Sequence, residues 1–146
     1  MFTMSKDCKV TRVSNKVAAG TSQIDSARVD MTGFDSVIFV AGLDTSTATA
    51  VITAIAKSNP ADSVAGSTTE KTGTAVTDAG GNQANQDYVV DLHRPQNRYA
   101  YCSLTRTVAN VAVNAIYAIQ YNAAKGPLPV SQPATTAPVD FGGPNA

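Results

Sequence analysis

The only histidine in the chain is His93, so a general-base or nucleophilic mechanism that uses histidine would depend on it. Such a mechanism also needs a nucleophile and an orienting carboxylate beside the ring. Asp91 lies two residues earlier, on the same side of a predicted strand, and Ser103 or Cys102 could approach the ring in a folded sheet. These residue types could therefore assemble a catalytic site, although their spacing does not require one.

A structural interpretation of the same residues is simpler. Pro95 has no backbone N–H and ends the predicted strand, so His93, Arg94 and Pro95 are predicted to form a structural corner. Arg94 would then pair with a carboxylate such as Asp87 or Asp91. We favour this interpretation and predict that the chain is not an enzyme.

Two further kinds of site were considered. The run Asp78–Asn82 contains oxygen-bearing side chains and glycines, but it lacks the ligand spacing and the closing Glu of an EF-hand, so a turn is the better prediction. The chain contains no Walker-type loop and no zinc-ligand cluster, and we predict no metal and no cofactor.

Four tyrosines fall on a predicted hairpin, namely Tyr99, Tyr101, Tyr117 and Tyr121. They could form a stacking face for sugars or bases, but a tyrosine-rich sheet face is more often a core or a subunit interface. We therefore predict Tyr99 and Tyr101 as protein-interface residues.

The composition excludes several classes of partner. The 146 residues include 11 Lys and Arg balanced by 11 Asp and Glu, and only 15% of residues are charged, so the chain lacks the basic surface of a nucleic-acid-binding protein. The longest apolar run, Val37–Leu43, is far shorter than the roughly 18 to 20 residues of a membrane span, and Met1–Lys9 has no apolar region typical of a secretory signal. Low charge also removes the usual protection against association, which favours a protein that functions within an assembly.

The two cysteines, Cys8 and Cys102, form no recognisable framework. The sequence does not decide whether they form a disulfide with each other. Synthesis in a reducing cytoplasm fits their number and spacing best.

The elements that position these residues are predicted to be strands, because polar and apolar residues alternate along most of the chain. Phe34–Ala41 is apolar on both faces, which predicts a central strand covered on both sides. Thr47–Lys57 satisfies both helical and strand spacing, and its Thr and Ile content favours a strand. The other predicted strands are Lys9–Ser14, Ile24–Asp30, Tyr88–Leu92, Arg98–Thr107 and Val111–Tyr121.

The strands are separated by predicted turns and loops. Asn15–Ser22 is predicted as a turn and Ser58–Asn85 as long exposed loops, with a short strand at Thr74–Thr77. Arg98–Thr107 and Val111–Tyr121 are predicted to pair as a β-hairpin. The expected fold is an all-β antiparallel sandwich of the jelly-roll kind, formed by residues 1–125.

Residues 126–146 differ from the rest of the chain. They contain five of the seven prolines and a single charge, Asp140. Proline-rich sequence favours extended polyproline II conformers and cannot form sheet hydrogen bonds at the prolines, so we predict an extended C-terminal arm. The predicted apolar anchors of this arm are Leu128, Val130, Val139 and Phe141.

Several segments together resemble a known family. They are Lys9–Val13, Ala18–Thr21, Val29–Val37, Asp91–Pro95 followed by Arg98 and Tyr99, and Ala115–Tyr121. Their order over roughly residues 9 to 125 resembles small virion structural proteins of tailed bacteriophages, in particular capsid cement or decoration proteins. The corner at Arg94–Pro95 with Arg98–Tyr99, and the closing Ala118–Tyr121 strand, carry most of the resemblance.

The resemblance implies a structural virion protein that binds and stabilises the capsid by bridging its subunits. The implied partners are the major capsid protein or other virion proteins and further copies of the chain, as a trimer or a dimer, and the implied location is the capsid surface of the virion. The alternatives are a neck, tail or head-fibre component and a carbohydrate-binding β-sandwich.

Overall fold

A computed structural model describes residues 8–47, 49–60, 71–79 and 83–123 of the chain. Within these ranges the chain forms ten β-strands and no helix, and the strands make two antiparallel sheets that pack against each other as a β-sandwich. The predicted all-β sandwich is therefore confirmed. The strands are β1 (Lys9–Ser14), β2 (Val17–Gly20), β3 (Ile24–Asp25), β4 (Val29–Asp30), β5 (Phe34–Ser46), β6 (Val51–Asn59), β7 (Lys71–Ala79), β8 (Asp87–His93), β9 (Tyr99–Thr107) and β10 (Val111–Ala123).

Strands that are distant in sequence lie side by side in both sheets. The first sheet has the order β1-β10-β5-β8, and β2 also pairs with β10. The second sheet has the order β3-β9-β6-β7, and β4 also pairs with β9. Apart from β6 and β7, which pair within the second sheet, consecutive long strands therefore cross between the two layers, and the inward faces of both sheets bury one shared core.

Alternation along β5 and β6 builds the centre of that core. Val37, Phe39 and Ala41 point inward from β5, and Ile52 and Ala54 point inward from β6; all five side chains are completely buried. The segment Thr47–Lys57, which satisfies both helical and strand spacing, thus forms most of the strand β6, and every second residue of that strand faces the opposite sheet.

The predicted hairpin between Arg98–Thr107 and Val111–Tyr121 is wrong. Both segments are strands, but β9 belongs to the second sheet and β10 to the first. The link between them crosses from one layer to the other through Val108, whose φ is 73°. Pairing within a hairpin is impossible because each strand already has neighbours on both of its edges.

Strict alternation over Val111–Tyr121 predicts that one face of β10 carries Val111, Val113, Ala115, Tyr117, Ile119 and Tyr121, and this prediction is also wrong. Register shifts on either side of Val113 exchange the two faces of the strand. Val111 and Val113 point into the core, but beyond the irregularity Ile116 and Ala118 take the inward positions. A β-bulge inserts one residue into a strand and so reverses the alternation after it.

Three predicted boundaries also change. The predicted turn at 15–22 contains β2, the predicted loop at 58–85 contains the nine-residue β7, and the predicted strand at 24–30 is divided into β3 and β4. Between β3 and β4, Ser26 takes over the pairing with β9, because its Oγ accepts a hydrogen bond from the Cys102 N–H at 3.0 Å. Cys8 and Cys102 are both buried, and no disulfide joins them to each other.

The predicted C-terminal arm lies outside the described residues. The boundary at residue 125 and the anchors Leu128, Val130, Val139 and Phe141 therefore stay predictions. No helix in the described part of the chain is long and apolar enough to cross a membrane.

Candidate functional site

The predicted corner lies at the end of β8, where Arg94 has a φ of 49° and redirects the chain. The partner of Arg94 is Asp35, which corrects the predicted pairing with Asp87 or Asp91. The Arg94 N–H donates to the Asp35 carbonyl at 2.9 Å, and Arg94 Nε lies 3.4 Å from Asp35 Oδ2. The corner is therefore held to the first residues of β5, the strand that pairs with β8.

His93 contacts a serine that the sequence did not indicate. Its Nδ1 lies 2.6 Å from the Oγ of Ser36, which is completely buried, and 4.0 Å from Asp35 Oδ2. A catalytic triad places the nucleophile and the carboxylate on opposite nitrogens of the ring, whereas here both approach the same nitrogen. The other nucleophiles considered, Ser103 and Cys102, belong to the second sheet and do not share this surface.

A second polar pair borders this corner. The Tyr121 hydroxyl donates to both carboxylate oxygens of Asp91 at 2.9 Å. Burial, followed by the hydrogen bond to Asp91, raises the pKa of Tyr121 above its ordinary value. Together with His93 and Ser36, this pair forms a polar end on the outer face of the first sheet, because all four residues lie in neighbouring outward positions of β5, β8 and β10.

The four tyrosines do not share one face. Tyr99 and Tyr101 lie on β9 in the second sheet, whereas Tyr117 and Tyr121 lie on β10 in the first. Tyr101 is completely buried within the chain, with the Arg28 guanidinium 4.7 Å from its ring centre. Its ring is therefore part of the interior and presents no surface to a neighbour. Tyr99 is half-buried beside Arg98.

The outer face of the first sheet is apolar over two neighbouring rows of side chains. β5 lies inside the first sheet, between β10 and β8, as predicted for a central strand. On its outer face no strand of the described part of the chain packs over the half-buried Ile38 and Val40, so cover on this side stays a prediction. Val89 on β8 is 52% exposed and Tyr117 on β10 is 38% exposed. We call the following set the apolar face: Val10, Ile38, Val40, Val89, Tyr117 and Ile119.

A groove of about 500 Å³ lies at one end of the apolar face. Its floor is low because the paired residues Gly42 and Ala115 are small. One rim carries Arg12 and Lys16, and the opposite rim carries Asp87. The groove therefore combines an apolar floor with cations on one side and a carboxylate on the other.

The two cations of the groove differ in their partners. Lys16 Nζ lies 3.0 Å from Asp44 Oδ2. Arg12 donates to the Asn114 carbonyl at 3.3 Å and lies 5.9 Å from the centre of the Tyr117 ring. Among the described residues Arg12 forms no ion pair with a carboxylate, so its charge is available to an acidic ligand.

Of the run Asp78–Asn82, the structure describes Asp78 and Ala79. Asp78 pairs with Ile52 near the end of β7, and its carboxylate accepts a hydrogen bond from the Tyr88 hydroxyl at 3.0 Å. Burial and this carboxylate raise the pKa of Tyr88 to about 12. Within the described ranges, no three His, Cys, Asp or Glu side chains are grouped so that they could hold a metal ion.

Comparison with solved structures finds a likeness in fold. No family model matches the chain, and no curated protein matches it. A chain from a solved structure described as "Bacillus endospore appendages form a novel family of disulfide-linked pili" aligns with a TM-score of 0.47 and 14% sequence identity, over 81% of this chain and 90% of that one. Similarity at this level carries no argument about the function of this chain.

Proposed function

We propose that the chain is a structural protein of a tailed-bacteriophage virion that binds and stabilises the capsid as a cement or decoration protein. The observation that supports this most strongly is the apolar face, where no strand of the described part of the chain packs over six side chains from four strands, and where Val89 and Tyr117 are exposed. Contiguous exposed apolar surface on a small domain commonly marks a protein–protein interface. Zero net charge and few charged residues agree with permanent residence in an assembly.

The strand order supports the jelly-roll interpretation of the sandwich. The order β1-β10-β5-β8 opposite β3/β4-β9-β6-β7 has the connectivity expected of two interleaved Greek keys. Jelly rolls occur in viral shell proteins and also in lectins. The argument from the fold is therefore one of analogy, and it supports a shell protein and a carbohydrate-binding protein alike. The apolar face favours the shell protein, because contiguous apolar surface is typical of a protein–protein interface.

The predicted arm is the second part of the proposal. Residues 126–146 would lie along a neighbouring subunit and extend the interface beyond the sandwich, and the chain would form a symmetric trimer or dimer. Prolines restrict the free arm, so less conformational entropy is lost when it binds.

Reconstitution tests the proposal. Capsids prepared without the chain are incubated with the full chain and with a chain that ends at Lys125, and bound protein is quantified after sedimentation of the particles. We expect saturable binding of the full chain, increased resistance of the shell to heat, and weaker binding of the shortened chain. No binding to capsids, or equal binding of both chains, would contradict the cement function or the arm, respectively.

Gene position distinguishes the alternative virion roles at little cost. A gene beside that of the major capsid protein favours the cement function, and a gene among tail genes favours a neck, tail or fibre component. His93 is proposed to be structural, so replacing His93 with Gln or Asn is expected to leave capsid binding nearly unchanged, because an amide side chain can either donate to or accept from the Ser36 hydroxyl.

A further inference from the structure

We propose that the groove and the adjoining apolar face bind the C-terminal segment, residues 126–146, of a second copy of this chain. The inference rests on the proposed assembly role of that segment, and it names the surface on which the segment docks. It requires no capsid, so it can be tested on the purified chain alone.

The apolar face has the shape and chemistry of a site for an extended segment. Val40 and Tyr117 lie opposite each other in register, and the row continues to Val89 on β8, so the floor runs across the strands at one level. The groove beside Gly42 then provides depth at the end of this floor. An apolar floor that ends in a groove suits a segment that presents isolated apolar side chains.

The segment 126–146 has the matching composition. Its only charge is Asp140, which stands between Val139 and Phe141. The groove offers the complementary arrangement, because Arg12 has no carboxylate partner among the described residues and lies beside the exposed Tyr117 ring. Asp140 would pair with Arg12 while its two apolar neighbours pack on the floor.

The direction of β10 favours a second copy over the segment's own groove. The groove lies beside Ala115, and the strand then runs eight residues further, about 26 Å, before the described part ends at Ala123. To reach its own groove the chain would have to reverse its direction after Ala123, whereas the groove of a second copy can be reached without a reversal. The 17 residues from 124 to 140 span about 53 Å as polyproline II, which is enough to reach a neighbour.

The test uses charge reversal in the full chain, read by sedimentation equilibrium. Arg12→Glu and Asp140→Arg are each expected to weaken self-association at least tenfold, and the doubly reversed chain to recover to within about threefold of the original. Lys9→Glu makes the same change of charge as Arg12→Glu and lies on the same strand, but its partner in register is the buried Gln120, so it should have little effect. Circular dichroism and thermal melting verify that each variant is folded.

Mixing the two singly reversed chains tests whether the segment is exchanged. In a mixture, the groove of the Arg12→Glu copy meets the reversed segment of the other copy, and the intact groove meets an intact segment. Exchange between copies therefore predicts that the mixture associates although neither variant does so alone. A segment that binds its own chain predicts no such recovery, and that result would overturn the proposal.

An apolar substitution gives an independent measurement. Val89→Asp places a charge on the apolar face at a site that is 52% exposed, and we expect at least tenfold weaker association. Val108→Asp is the matched control, because Val108 is 73% exposed but lies on the link between β9 and β10. A monomeric full chain at high concentration, or association that none of these variants weakens, would overturn the inference. Capsid binding that persists in those variants would leave the proposed function standing.

Discussion

Replacing Arg106 by Met is expected to destabilise the fold, although Arg106 is a buried cation. The residue is 3% exposed, and its guanidinium donates to the carbonyls of Ser22 at 2.8 Å, Ala18 at 3.0 Å and Val111. These contacts join β9 of the second sheet to the β2 region and to the first residue of β10. Burial lowers the pKa of Arg106, which indicates the cost of holding its charge away from water.

The expected magnitude follows from what remains after the substitution. Methionine has similar length and no charge, so the desolvation cost of the guanidinium disappears along with its three hydrogen bonds. Ala18 and Ser22 are exposed, so their carbonyls can bind water, whereas the Val111 carbonyl belongs to a completely buried residue. With hydrogen bonds from a charged donor contributing about 1.5 to 3 kcal/mol each, a net loss of about 2 to 4 kcal/mol is expected.

Guanidinium unfolding of the full chain measures this loss, and thermal melting gives a second reading. About 3 °C per kcal/mol for a domain of this size predicts a melting temperature lower by roughly 6 to 12 °C. Arg94→Met is the control, because the Arg94 side chain is 76% exposed and its removal should cost less than about 1 kcal/mol. An Arg106→Met chain that is as stable as the original would refute the reasoning, since the burial cost would then cancel the hydrogen bonds.

Three further outcomes are expected. The Arg98 hydrogen bonds hold the pKa of Asp30 in the folded chain well below 3.8. Asp30 therefore stabilises the fold at a pH above its pKa in the unfolded chain, and this contribution is lost as the pH falls through its pKa in the folded chain. Asp30→Asn should make the free energy of unfolding depend less on pH in the acid range, and an unchanged dependence would count against the ion pair. Gly73→Ala places a Cβ in steric conflict with Leu92 Cδ1, so urea unfolding should show a loss of about 1 to 3 kcal/mol, and a neutral result would mean that Leu92 moves aside freely. Burial raises the pKa of the Cys102 thiol to about 12. In a chain in which Cys8 is replaced by serine, this thiol should therefore resist a disulfide reagent at pH 8 until the protein is denatured. Rapid reaction of the native chain would contradict the burial of Cys102.

Alternation along the chain was sufficient to predict the fold class and most strands, because the buried face of each long strand repeats every second residue. The Lys9–Ser14 strand has the predicted bounds, and the strand at 51–59 lies largely within the segment that favoured a strand. The edge strand β7 was predicted only in part, because no alternation of apolar residues marks it. Of its described side chains, all but that of Asp78 are exposed.

Pairing was harder to predict than strand position. Neighbours in sequence were expected to form a hairpin, but β9 and β10 enter different sheets, and a register irregularity near Val113 reverses the faces of β10. That reversal decides which residues form the apolar face, and alternation alone cannot reveal it. The Ser36 partner of His93 is 57 residues away in the chain, so only the pairing of β5 with β8 brings the two together.

The most direct test of the central claim is the structure, by cryo-electron microscopy, of the full chain bound to capsids prepared without it. The account predicts that protein density covers Val89, Tyr117 and the groove at Gly42, and that part of this density is an extended segment ending in the residues around Asp140. A bound chain whose first sheet faces solvent, with the apolar face uncovered, would contradict the claim that this face is the assembly surface.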